Sequence, residues 1–174
     1  MFFSANITSA SEDETLWTKL REGTAFAIMR HAIAPGTGDP DNFNVNDCST
    51  QRNLSNSGRQ QASEIGEKIR KNGINTAAIF SSAWCRCRET AELLNIGDVL
   101  ILPSLNSFFR NSELREPQTY ALKEWITKNK IGRPLFLITH NVNIRALTGA
   151  FTSQGEIVIV GRNQNGELIV LGTL

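Results

Sequence analysis

The two histidines of the chain, His31 and His140, stand in the same sequence context. Each directly follows a short apolar run, residues 26–30 before the first and residues 135–139 before the second. Runs of this length that end at polar, Gly-rich or Pro-rich residues predict buried strands. Because ligands of open α/β sheets bind outside the carboxyl ends of the strands, we expect both imidazoles to face one crevice.

Two arginines accompany these histidines. Arg30 lies directly before His31, and Arg86 follows another apolar run that ends at Ser82. A neutral imidazole can attack phosphorus and form a covalent phosphohistidine. Guanidinium groups supply the fixed positive charge that stabilises the equatorial oxygens of a phosphoryl group in transfer, and His140 adds a donor when it is protonated. The combination predicts phosphoryl transfer that needs neither a metal ion nor another cofactor.

Strands and helices alternate along the rest of the chain. Helical periodicity and capping residues predict helices at residues 14–21, 57–71, 83–94, 116–130 and 142–150. Apolar runs predict strands at residues 26–31, 77–80, 99–102, 135–140, 157–160 and 168–171. The Asn165-Gly166 pair between the last two strands is typical of a hairpin. This order predicts a three-layer α/β/α sandwich with a mostly parallel central sheet and an antiparallel edge.

Two long stretches, residues 32–56 and 103–118, lack apolar periodicity. Connections of this length in a compact domain are usually functional or mobile. The first of them follows His31 directly, so we expect it to form a wall of the substrate pocket.

Length and composition restrict the class of protein. With 174 residues and 40% hydrophobic content, the chain is expected to form one domain over residues 1–174, with residues 1–13 as a disordered or signal-remnant terminus. The net charge of +1 argues against a nucleic-acid partner, and no apolar stretch reaches the ~18 residues that span a bilayer. Because Thr8-Ser9-Ala10 resembles a signal-peptide cleavage site, the periplasm is the favoured location and the cytoplasm the alternative.

The three cysteines, Cys48, Cys85 and Cys87, leave the redox state open. In an exported protein Cys48 could pair with Cys85 or with Cys87, which would leave one thiol over. A zinc site formed by the three cysteines and a histidine is possible by count. Because Cys-x-Cys is poor spacing for zinc ligands, we predict no metal site.

Four segments resemble the motifs of the histidine phosphatase superfamily, the phosphoglycerate mutase-like group. Arg30-His31-Ala32 resembles the Arg-His-Gly signature, with alanine in place of the usual glycine, and Thr139-His140-Asn141 resembles the second histidine motif. Residues 54–62 are similar to a Leu-Ser-x-x-Gly-x-x-Gln-Ala helix start, and residues 81–91 to a Ser-Ser-x-x-x-Arg-x-x-x-Thr-Ala block. The resemblance covers most of residues 25–150, and the compact chain resembles the small bacterial phosphatase branch.

The resemblance implies a phosphatase in which His31 is the nucleophile and forms a phosphohistidine that water hydrolyses. It implies that Arg30, Arg86 and His140 bind the phosphate, and Arg52 is a further candidate for binding the phosphate or the rest of the substrate. The expected partner is a small phosphorylated molecule or a phosphoprotein. The alternatives are a phosphomutase and a phosphate- or phosphosugar-binding protein with little turnover.

The acid that would protonate a poor leaving group is left open. Glu113, within residues 103–118, stands where larger members of the family often carry this acid. Glu156, at the start of a predicted strand, is a rival candidate. A phosphohistidine or another good leaving group would need no such acid.

Overall fold

The computed structural model describes residues 6–129 and 132–174, with side chains from residue 12 onward. The helices of this part are α1 (Asn6–Arg21), α2 (Asn56–Lys71), α3 (Cys85–Leu94), α4 (Arg115–Lys128) and α5 (Asn141–Thr148). The strands are β1 (Phe26–Arg30), β2 (Ala78–Ser81), β3 (Val99–Ile101), β4 (Leu135–Thr139), β5 (Ile157–Arg162) and β6 (Leu168–Thr173). Short 3-10 turns span Cys48–Thr50, Pro103–Leu105 and Ser112–Leu114.

The strands form one mixed sheet in the order β3-β2-β4-β1-β5-β6. Strands β3, β2, β4 and β1 are parallel, whereas β5 and β6 form the antiparallel edge. Arg30 at the end of β1 is paired with Thr139 at the end of β4, so His31 and His140 leave the sheet at the same level. The register therefore brings the two histidine segments together, as the strand ends predicted.

Helices cover both faces of the sheet. On one face, α1, α2 and α3 pack over alternate strand residues such as Ala27 and Met29. On the other face, α4 and α5 pack over Phe26 and Ile28. Because β1 and β4 are covered on both sides, nearly all of their residues are buried, which explains their uninterrupted apolar sequences. The predicted three-layer α/β/α sandwich is confirmed.

The connection between β1 and α2 is held close to the helix by two features. Ser55 caps α2, its hydroxyl accepting a hydrogen bond from the amide of Gly58 at 3.0 Å. Gly58 has no side chain because a Cβ there would come within 2.0 Å of the Ile33 carbonyl oxygen. The chain that follows His31 is therefore packed tightly against the first turn of α2.

The element boundaries agree with the predictions to within two residues, apart from the start of α1. Leu16, Trp17 and Leu20 are buried as the periodicity predicted, but the helix begins at Asn6 rather than at residue 14. Residues 6–13, expected to be disordered or a signal remnant, are helical, and apolar periodicity did not indicate this part of the helix. That they are the remnant of a signal peptide stays a prediction. Residues 1–5 and the predicted end of α4 at residue 130 lie outside the described residues.

None of the helices in the described ranges is long and apolar enough to cross a membrane.

A disulfide between Cys48 and Cys85 links the connection after β1 to the first residue of α3. The third cysteine, Cys87, is a buried free thiol. The amide of Cys85 also donates to the Gln51 side chain at 2.9 Å, so that a hydrogen bond joins the same two segments beside the disulfide. The long connection is thereby fixed to the helix that carries Arg86.

Reduction of this disulfide is expected to lower the free energy of unfolding by about 2–4 kcal/mol, because the cross-link restricts the unfolded chain over a separation of 37 residues. Chemical denaturation with and without a reducing agent measures the difference. A Cys48→Ser/Cys85→Ser double variant is the control, since its stability should not respond to the reductant. Equal stability of the oxidised and reduced wild-type protein would contradict the prediction.

Candidate active site

A cavity of about 250 Å³ opens where β1 and β4 end. The residues predicted to bind phosphate all line it: Arg30, His31, Arg52, Arg86 and His140. The rings of the two histidines stand edge to face with their centroids 5.6 Å apart. Side chains from four separate parts of the sequence therefore meet at one site. This site lies at the carboxyl ends of the strands, where open α/β sheets bind ligands.

His31 is held in one tautomer by its own segment of backbone. Its Nδ1 lies 2.8 Å from the carbonyl oxygen of Ala32. Because a carbonyl oxygen can only accept, Nδ1 carries the proton and donates this bond. In the neutral imidazole the other nitrogen, Nε2, then holds the free electron pair.

The surroundings of His31 favour the neutral ring. The side chain is 2% exposed, and its pKa is lowered to about 3, mainly by burial. The positive charges of Arg86, Arg52 and Arg30 contribute to this lowering, whereas the hydrogen bond to Ala32 opposes it and raises the pKa. At neutral pH His31 is therefore an unprotonated imidazole beside several guanidinium groups.

Ala32, which replaces the usual glycine of the motif, is fully buried, and its amide donates to the Thr90 hydroxyl at 3.0 Å. Across the described ranges, Asn95 is the only residue other than glycine with a positive φ. The backbone at position 32 therefore adopts a conformation open to any residue, and the methyl group is accommodated.

His140 is also buried, and its Nε2 lies 2.9 Å from the hydroxyl of Ser82. The Cys87 sulfur lies 3.4 Å from the same nitrogen. Burial lowers the pKa of His140 well below its usual value, and the charges of Arg86 and the neighbouring groups lower it further. The free pocket therefore favours the neutral form of the His140 ring. The sequence predicted that a strand ends at Ser82, but it did not indicate that the Ser82 hydroxyl contacts this ring.

The arginines of the site are fixed by backbone carbonyl groups. Arg30 donates from Nη1 to Thr152 at 2.7 Å, and its buried Nε has no partner. Arg52 donates from Nε to Gly38 at 2.8 Å and from Nη1 to Ala34. Arg86 instead forms an ion pair with Asp39.

Several residues of the cavity were not predicted from the sequence. The aromatic side chains of Phe43, Trp84 and Phe109, with Arg110, line the cavity together with Asp39. Trp84 stacks on Phe43 with ring centroids 5.1 Å apart, and Phe109 is 58% exposed. Gly38-Asp39-Pro40 has the composition of a turn and Phe108-Phe109 resembles a core anchor, so no local signal distinguished these residues.

The two candidate acids do not line the cavity. Glu113 is exposed in the Ser112–Leu114 turn. Glu156 accepts a hydrogen bond from the Ser153 amide at 2.7 Å and borders a different depression of the surface. Among the described residues that line the cavity, Asp39 is the one carboxylate. Within the described part of the chain, no three His, Cys, Asp or Glu side chains are grouped so that they could hold a metal ion.

Comparisons with known sequences bear on the family of the chain. The family model for the histidine phosphatase superfamily (branch 1) matches residues 26–106. No curated protein sequence matches the chain significantly. The match supports membership of the histidine phosphatase superfamily: the matched segment contains Arg30, His31 and Arg86, and the fold places His140 beside them.

Solved structures show the same fold. The protein histidine phosphatase SixA, complexed with tungstate, aligns with a TM-score of 0.60 and 14% identity over 86% of this chain and 96% of that chain. A mycobacterial glucosyl-3-phosphoglycerate phosphatase complexed with VO3 gives a TM-score of 0.60 and 15% identity over 84% and 96%. Phosphoserine phosphatase from Entamoeba histolytica gives a TM-score of 0.60 and 12% identity over 86% and 95%. These proteins are phosphatases of different specificity, and at this level of identity the likeness shows a shared fold.

A pH titration of the two histidines by NMR tests the electrostatics of the site. Because both pKa values are lowered, we expect neither Cε1–H resonance to show a midpoint between about pH 5 and 8. With only two histidines, His31→Ala assigns the two signals. The unfolded protein, in which both rings should titrate near the ordinary value of about 6.5, is the control. A midpoint near that value in the folded protein would contradict the assignment of neutral rings.

Proposed function

We propose that the protein is a metal-independent phosphatase that hydrolyses a phosphomonoester, or a phosphohistidine, through a covalent phosphohistidine on His31. The observation that carries the proposal is the hydrogen bond from His31 Nδ1 to the Ala32 carbonyl oxygen. This bond leaves the electron pair on Nε2, and burial keeps the ring neutral at physiological pH. A fixed, unprotonated imidazole is the group that an in-line attack on phosphorus requires.

The first chemical step transfers the phosphoryl group to the enzyme. Nε2 of His31 attacks phosphorus, and the bond to the leaving group breaks with its electron pair going to the leaving atom. The phosphorylated ring, protonated on Nδ1, bears a positive charge that the Ala32 carbonyl oxygen stabilises.

The second step returns the enzyme to its starting state. Water attacks phosphorus and gives up a proton, and the electron pair of the P–N bond returns to Nε2. The leaving group takes up one proton over the whole cycle, so the protons balance. Orthophosphate and the dephosphorylated product are released.

Fixed positive charge supports catalysis without a metal ion. The guanidinium groups of Arg30, Arg52 and Arg86 line the cavity around the two neutral imidazoles. In a buried site such charges stabilise the equatorial oxygens of the transferred group without reorganisation during the reaction. Unlike the imidazoles, guanidinium groups keep their charge across the physiological pH range.

The lack of a protonated carboxyl among the cavity-lining residues bears on the substrate. Asp39 accepts hydrogen bonds from Arg86 and is held ionised, so it has no proton to donate. This favours substrates whose leaving group departs without full protonation, such as a phosphohistidine or an aryl phosphate. The aromatic side chains of Phe43 and Phe109 would then contact the leaving group.

The disulfide also bears on the compartment. Bonds of this kind persist in oxidising environments and are rare in the cytosol. The pairing of Cys48 with Cys85 therefore favours a protein that works outside the cytoplasm, in line with the location favoured by the sequence.

Replacement of His31 by alanine is expected to reduce hydrolysis of an aryl phosphate by at least about a thousandfold, because it removes the nucleophile. The measurement is initial-rate kinetics, with EDTA present throughout. Wild-type turnover should be unchanged by EDTA, and thermal denaturation checks that the variant folds.

Three results would contradict the proposal. Persistent turnover by the His31→Ala variant would exclude this nucleophile. Tight phosphate binding by the wild-type protein without hydrolysis of any phosphoester tested would favour a binding protein. Transfer of the phosphoryl group to an added hydroxyl compound, rather than to water, would favour a mutase.

A further inference from the structure

Asp39 forms an unusually complete set of contacts for a residue in a loop. Its side chain is 10% exposed, and Arg86 donates to it through both Nη atoms, to Oδ1 at 2.6 Å and to Oδ2 at 3.2 Å. The amide of Arg52 donates to Oδ1 at 3.1 Å, and Nε1 of Trp84 donates to Oδ2 at 3.1 Å. Each carboxylate oxygen thus accepts two hydrogen bonds.

These contacts use several of the N–H donors of the Arg86 guanidinium group. The guanidinium group has five N–H donors, and Asp39 takes two of them. Nη1 gives a third to the carbonyl oxygen of Arg52 at 3.1 Å. The arginine that the sequence assigns to the phosphate is therefore already engaged, in the two-pronged arrangement that an oxyanion would adopt.

The charge state of Asp39 supports the same interpretation. Burial alone would raise the pKa of its carboxyl group, but the hydrogen bonds and charge of Arg86, with donors from Arg52 and Trp84, outweigh burial and lower the pKa. Asp39 therefore remains ionised. It partly offsets the positive charge that Arg30, Arg52 and Arg86 concentrate in the cavity.

If Asp39 served only to anchor the loop, it would not need to pair with Arg86. The loop is already attached to α3 by the Cys48–Cys85 disulfide and to Arg52 through the carbonyl oxygens of Gly38 and Ala34. The contact instead places the negative charge of Asp39 beside Arg86, a buried cation of the proposed phosphate site. Opposite charges attract each other more strongly when they are buried than when they face water.

We propose that Asp39 is an internal counter-ion that competes with the phosphate group of substrate and product for Arg86 and so sets how tightly the pocket holds phosphate. This inference rests on the proposed phosphatase function. An anion that enters the cavity shares or displaces the Asp39 carboxylate, and the carboxylate re-forms the pair when orthophosphate leaves. The pocket thereby avoids retaining its product.

The test is the Asp39→Asn variant, which keeps the shape of the side chain and removes its charge. We expect inorganic phosphate to bind on the order of tenfold tighter, because the charge of Arg86 is no longer offset. Isothermal titration calorimetry gives the affinity, and competitive inhibition of aryl phosphate hydrolysis gives the same constant independently. We also expect KM for the aryl phosphate to fall with no rise in kcat, since release of phosphate is slower.

Asp41→Asn is the matched control. Asp41 lies two residues further along the same loop, is fully exposed and approaches Arg110 at 3.5 Å. This variant removes the same unit of charge from the same segment. Because an exposed charge is screened by water and salt, its phosphate affinity should stay within about twofold of the wild type.

Phosphate affinity that is unchanged or weaker in Asp39→Asn would overturn the inference and leave Asp39 a purely structural residue. If that variant does not fold, Asp39→Glu replaces it: its longer side chain misaligns the pair with Arg86, so phosphate should still bind several-fold tighter, and an unchanged affinity would overturn the inference. Wild-type protein that bound no inorganic phosphate would count against the proposed function itself. Phosphate binding by the wild type that Asp39→Asn does not strengthen would count against the counter-ion alone.

Discussion

The parallel pairing of β1 with β4 is the constraint on which the site depends. Because Arg30 stands opposite Thr139, the residues that follow them leave the sheet side by side, and the two imidazole rings come within 5.6 Å of each other. A shift of one residue in this register would turn the strand side chains to the opposite faces of the sheet and separate the rings. Helices on both faces exclude that shift, since each face buries its own apolar residues.

Burial and charge act together on this pair of rings. Two imidazoles removed from water beside several guanidinium groups favour the neutral form, because each proton added would lie among positive charges in a medium that solvates it poorly. In the proposed function, the same guanidinium groups attract the phosphate group of the substrate. The low affinity of His31 for a proton therefore determines the chemistry of the pocket as much as the positive charge of the arginines does. Asp39 adds a negative charge that tempers the attraction of the arginines for anions.

Much of this arrangement could be predicted from the sequence. Apolar runs that end at chemically active residues predicted the strands. The residues predicted from the sequence to form the site all line one cavity: His31, His140, Arg30, Arg86 and Arg52. Local pattern carries this information because strand ends of a parallel sheet meet at one edge. The sequence left the partner of Cys48 open between Cys85 and Cys87, and the structure pairs Cys48 with Cys85.

The contacts that could not be predicted depend on where loops run. Nothing in Gly38-Asp39-Pro40 indicates that its carboxylate reaches Arg86, 47 residues further along the chain. The position of Glu113 within a loop likewise did not predict where its side chain lies, and in the structure it is exposed outside the cavity. Such contacts are fixed by the tertiary path of connections that have no periodic pattern to read.

The proposed mechanism requires that the phosphoryl group be found on His31 of the enzyme during turnover. The protein would be mixed with a saturating aryl phosphate, quenched and denatured in alkali, in which phosphohistidine survives, and analysed by peptide mass spectrometry and phosphorus NMR. We predict a phosphoryl group on Nε2 of His31, because Nδ1 is occupied by its bond to the Ala32 carbonyl oxygen. A phosphoryl group on Nδ1, on any other residue, or no label on His31 in an enzyme that turns over, would contradict it.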